Sequence, residues 1–156
     1  MRGFAWALLA LLSGDVLPPL LLAGDPGGRA HYVGGTVAGL LSKSEGTINT
    51  TDEEVLLFRT KQASVRIPYS KINTIEYGQR VSRRIIEAVL VSPLLLLAKK
   101  RKHFLTVGYT DAQGHQQALV FQVDKGAVRS VLVSLEAKTG RKVEFQDEEA
   151  RKAGKG

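Results

Sequence analysis

The sequence predicts a mainly β domain closed by one C-terminal α-helix. Three observations carry that prediction. From Val33 to Val123 the chain is cut into short pieces, several of alternating polarity, separated by Gly, Pro, Asn and Asp. After Asp124 the apolar period changes from two to that of a helix. The third is size: 156 residues, 44% of them hydrophobic, suffice for one core and an appendage, not for two independent domains.

The first thirty residues stand apart. Arg2, the apolar run Phe4 to Leu12 and the small residues that follow have the order of a secretory signal. Asp15, Pro18 and Pro19 interrupt the run and argue against a spanning anchor. Cleavage is expected after Ala23 or Gly24, or after Ala30, and the protein is expected to be exported, periplasmic or peripheral to a membrane. There is no cysteine, hence no lipid-modified terminus, disulfide framework or thiolate metal site. Residues 1–30 are therefore assigned to a signal or N-terminal hydrophobic segment, 31–145 to the domain and 146–156 to a disordered charged tail.

Within the domain, Val33 to Leu41 is the first candidate strand, its glycines suggesting a bend or bulge. Glu45 to Thr51 and Glu54 to Lys61 follow around the acidic turn residues Asp52 and Glu53. In SVRIPY, Val65, Ile67 and Tyr69 share a face opposite Arg66, and KINTIEYG adds Ile75 and Tyr77. His103 to Thr110 and Gln116 to Val123 form a hairpin around Asp111 to Gly114. Asp124 is the expected N-cap of a helix carrying Val128, Val131, Leu132 and Leu135, and Gly140 its stop. A short RKVEF piece follows.

Between the two groups of strands lies an insert, residues 80–102, with helical character expected over about 81–101. Its apolar centre, Ile85 to Ala98, carries one acid, Glu87, and lies between Arg80, Arg83 and Arg84 on one side and Lys99, Lys100, Arg101 and Lys102 on the other. Those seven bases and one acid hold +6 of the chain's net +7. A helix over these fourteen residues is about 21 Å long, short of the ~30 Å hydrocarbon layer, and Pro93 disfavours helical geometry at Ser92. An apolar centre with cationic edges suits an anionic membrane surface, with Leu94, Leu95, Leu96 and Leu97 entering the interface. Two other readings stand beside it: a buried segment packed on the barrel with its bases as a solvated rim, and self-association or docking on a protein partner of the cell envelope. Nucleic acid is not expected, because the patch encloses leucines instead of interleaving aromatics or polar base readers.

A succession of about seven strands closed by one amphipathic helix resembles the pleckstrin-homology-like fold, in particular its GRAM and bacterial PH-like branch. The phrases that carry the resemblance are EGTINTTDEEVLLF, VRIPYSKINTIEYG, HFLTVGYTD and LEAKTGRKVEF, in that order, over about Val33 to Phe145. The resemblance implies a bent antiparallel barrel plugged by the helix, and binding or scaffolding rather than catalysis. Headgroup-binding members use several bases between the first two strands. Here Ser42 to Glu45 holds only Lys43, so no headgroup residue transfers.

No catalytic centre, metal site or cofactor is expected. His31, His103 and His115 lack a second ligand at metal spacing. The run Asp52, Glu53 and Glu54 reads as turn chemistry.

Overall fold

The computed structural model describes residues 27–88 and 102–155. The chain is mainly β. Eight strands, β1 (Gly27–Gly35), β2 (Glu45–Asn49), β3 (Val55–Thr60), β4 (Ser64–Pro68), β5 (Ile72–Gly78), β6 (Phe104–Thr110), β7 (Gln116–Val123) and β8 (Glu144–Phe145), form one sheet in the order β4-β3-β2-β1-β7-β6-β5-β8. Two antiparallel meanders, β1 to β4 and β5 to β7, are thus joined by the β1–β7 pair. The sheet is mixed rather than wholly antiparallel, because β8 pairs parallel to β5. Three α-helices complete the described residues: α1 (Arg83–Ala88), α2 (Lys125–Thr139) and α3 (Glu148–Lys155).

The first strand starts earlier than the hydrophobic pattern suggests. It runs over Gly27–Gly35, not Val33 to Leu41, and Gly27 to Ala30 supply four of its five pairs with β2. Small size is what the site needs: a Cβ on Gly28 would lie 2.0 Å from the Cβ of Ala127, where α2 crosses the strand. The domain therefore reaches into the segment assigned to the signal, and a cut after Ala30 divides β1. The rest of that segment lies outside the described residues. The expected bulge is present as a register shift between Tyr32 and Gly34, and Val33 joins an apolar cluster separate from that of Tyr32.

The main core takes Tyr32, Ile48, Phe58, Ile67, Ile75 and Phe121 from the strands, closed by Val128, Val131, Leu132 and Leu135 of α2. Phe58 and Phe121 meet with centroids 4.8 Å apart and planes at 54°, a tilted contact that aromatic quadrupoles favour. Helix α2 begins after Asp124 as expected, but the Asp124 side chain caps nothing and instead pairs with Arg29 Nε at 3.3 Å. Gly140 ends it in the left-handed region, at φ 68°.

The segment from Gln146, expected to be disordered, forms α3. The expectation counted only large apolar residues, whereas α3 packs with small ones. Ala150 is fully buried, and a Cβ on Gly154 would come within 2.5 Å of Phe145. Residues four apart share a helix face, so Ala150 and Gly154 make a smooth strip against the domain.

Candidate membrane-contact surface

The insert leaves and re-enters the sheet at one place. Gly78, the last residue of β5, pairs with Phe104, the first of β6, and such cross-strand Cα atoms are about 4.5–5.5 Å apart. Arg80 and Lys102, from opposite ends of the insert's sequence, therefore flank a common root. Arg80 is exposed and Lys102 half-buried.

The first turn beyond the root packs against the domain. Val81 and Ile85 are buried with Val33, Phe104, Ala118 and Val120, which form a second apolar cluster, separate from the main core. Alternation along β6 and β7 puts Phe104, Ala118 and Val120 on the face turned away from that core. Over Val81 to Ile86 the insert thus behaves as the packed alternative anticipates. Ser82 Oγ donates to Glu76 Oε1 at 3.0 Å, and Glu76 is only 5% exposed. Its second oxygen, Oε2, is buried with no hydrogen-bond partner among the described residues. Arg83 points outward and sits 3.8 Å from Glu87, an exposed i,i+4 pair of little energetic weight.

Of the basic and apolar residues singled out above, Arg80, Arg83 and Lys102 have described side chains. The main chain of Arg84 lies in α1, and its side chain falls outside the described residues, as do Leu94, Leu95, Leu96, Leu97, Lys99, Lys100 and Arg101.

Sequence reasoning missed what holds the root. The main-chain N–H of Gln79 donates to Asp147 Oδ2 at 2.9 Å, and its amide Nε2 donates to Glu149 Oε2. Gln146 N–H donates to Tyr77 O at 3.0 Å. That approach needs Gly78, since a Cβ there would lie 2.5 Å from Gln146 Cβ. Asp147 Oδ1 also accepts from Ala150 N–H at 2.7 Å, capping α3. Burial pushes the Asp147 carboxyl up, but the Gln79 and Ala150 N–H groups and the nearby His103 outweigh it, so its pKa is lowered. Burial, helped by the Asp147 charge, holds the Tyr77 phenol up at about 12. A cleft of about 250 Å³ opens here, lined by Gln79, Arg80, Gln146, Asp147 and Glu149. The DEEA run at 147–150 was the available signal, an N-cap aspartate followed by acids in the first turn.

His103 stacks on Tyr77 with centroids 5.5 Å apart and planes at 16°. His31 and His115 sit 3.8 Å and 3.5 Å from Glu45 and Asp111. No group of three or more metal-ligating side chains occurs among the described residues. Asp52 accepts from the N–H groups of Glu54 and Val55 at 2.8 Å and 3.1 Å, which is the turn chemistry its sequence suggested. No helix among the described residues is long and apolar enough to cross a membrane.

No family model matches the chain, and no curated protein is similar to it in sequence.

Proposed function

We propose that this chain is an exported, non-enzymatic module of the PH-like class that contacts an anionic membrane through its basic-flanked apolar insert. The scaffold half of the reading is supported by two meanders of four and three strands with a helix directly after the seventh. About seven strands followed by one helix is the succession on which the resemblance to GRAM and bacterial PH-like domains rests. Export rests on the order of Arg2, the apolar run and the small residues within 1–30.

The observation that carries the membrane half is the Gly78–Phe104 pairing at the root. Arg80 and Lys102, far apart in sequence, each lie two residues beyond that pair, which brings these two bases to one end of the sheet. Each base near an anionic surface contributes about 1 kcal/mol and each fully buried leucine on the order of 1.5–3 kcal/mol. Reversible, salt-sensitive attachment follows from those magnitudes. Co-sedimentation with phosphatidylglycerol vesicles at low and high salt tests it. Binding at low salt that weakens as salt rises is the expected result. Sedimentation that depends on protein concentration in the absence of lipid, with no vesicle binding, would replace it with self-association or an envelope-protein partner.

A further inference from the structure

The C-terminal segment and the insert are 66 residues apart along the chain between Arg80 and Gln146, yet they meet at one cleft. Gln79 is held there twice, by Asp147 through its main chain and by Glu149 through its side chain. Arg80 lines the same cleft as Asp147 and Glu149. Helix α3 is anchored behind this contact by buried Ala150 and by Gly154 against Phe145 and Leu132. Asp147 and Glu149 at its N-terminal end are therefore presented to the insert's root, while Glu148 pairs with Arg151 on the helix itself. A carboxylate group set within a Debye length of a basic surface lowers the potential that attracts an anion.

We propose that Asp147 and Glu149, at the N-terminal end of α3, are an acidic clasp on the root of the insert, closed by the Gln79–Asp147 and Gln79–Glu149 bonds and opened when an anionic membrane takes its place. The inference rests on the membrane reading above and adds its regulation. In the free protein the clasp holds residues 79–80 against the sheet end and offsets the charge of Arg80. At a vesicle surface, lipid phosphates replace the carboxylates as partners, and Gln79 is released.

The test uses the full chain and phosphatidylglycerol vesicles. Gln79→Ala removes the Glu149 bond without changing any charge, Glu149→Gln weakens it and removes a charge, and Glu54→Gln removes an exposed charge on the β2–β3 turn. The clasp predicts that Gln79→Ala and Glu149→Gln each bind vesicles about twofold to tenfold tighter than the parent, with Glu54→Gln close to it. It also predicts faster exchange of the Gln79 amide when vesicles are added to the parent. Binding by Gln79→Ala equal to the parent, with Glu149→Gln and Glu54→Gln rising alike, overturns the clasp and leaves a general charge effect. Failure of every variant, parent included, to bind vesicles overturns the membrane reading beneath it.

Discussion

Ser82 Oγ donates to Glu76 Oε1 at 3.0 Å instead of capping the helix that starts beside it. The Ser82 main-chain oxygen meanwhile accepts from the N–H groups of Ile85 and Ile86, both at 3.0 Å. One residue thus starts α1 and satisfies one oxygen of a buried carboxylate on the sheet beneath. A buried acceptor stripped of its donor costs about 1–3 kcal/mol, more than the net worth of the bond. Ser82→Ala is therefore expected to destabilise the domain by about that amount in urea unfolding. Glu76→Leu with Ser82→Ala should recover much of the loss, since removing both partners removes the unmet need. A double variant no more stable than Ser82→Ala contradicts this account.

The start of the domain is tested at Gly28. Its missing Cβ leaves room for Ala127, so Gly28→Ala should cost about 1–3 kcal/mol through overpacking. Adding Ala127→Gly should return part of it, less the helix penalty of about 1 kcal/mol for glycine. Chains beginning at Gly24 and at His31 sharpen the point. The second lacks four β1–β2 pairs and is expected to show lower thermal stability. If the protein is cleaved on export, mass spectrometry of the mature N-terminus should then place the cut before Gly27.

Lys138 ties the β2–β3 turn to the end of α2. Its Nζ donates to the carbonyl oxygens of Asp52 at 2.6 Å and Thr51 at 3.3 Å, with its side chain 17% exposed and Nζ 5.6 Å from the centre of the Tyr69 ring. Lys138→Met keeps the stem and removes the donors, and a loss of about 1–3 kcal/mol is expected in urea unfolding. Arg66→Ala removes only a 3.9 Å exposed pair with Asp52, and no measurable change is expected. Equal effects of the two would show that the tie carries no special weight.

Asp147 gives the docking of α3 a pH dependence whose sign follows from its lowered pKa. The group has a lower pKa folded than unfolded, so its contribution is fully present above the ordinary value of 3.8 and is lost as pH falls through the folded value. Protection of the Ala150 amide, taken relative to the unstructured exchange rate at each pH, should hold at neutral pH and fall below about pH 4. In Asp147→Asn that dependence should disappear. Unchanged acid behaviour in the variant would assign it to another carboxylate.

Much of the fold was legible because β7 and the end of α2 depend on local rules. Gln116–Val123 and the Gly140 stop follow from alternation and from glycine's tolerance of positive φ. What escaped was packing by absence. Gly27 and Gly28 look like cleavage-region residues until the β2 backbone is seen against the first and α2 across the second, and Ala150 with Gly154 looks like a tail until Phe145 is set against it. One signal was present and undervalued. Ala118 and Val120 are as apolar as Leu119 and Phe121, and all four are buried. A strand apolar on both faces needs a cover on each, and α1 is one of them. The contact of Gln79 with Asp147 joins positions 68 apart, which no local pattern encodes.

The central claim concerns the four leucines, and Leu95→Asp with Leu96→Asp tests it most directly. Both positions lie outside the described residues, so near-UV circular dichroism first establishes that the double variant keeps the parent's tertiary signature. Co-sedimentation with phosphatidylglycerol vesicles at low salt is then compared. The account predicts that the variant binds at least about tenfold more weakly, while Glu54→Gln binds as the parent does. Undiminished binding by the folded double variant would contradict it.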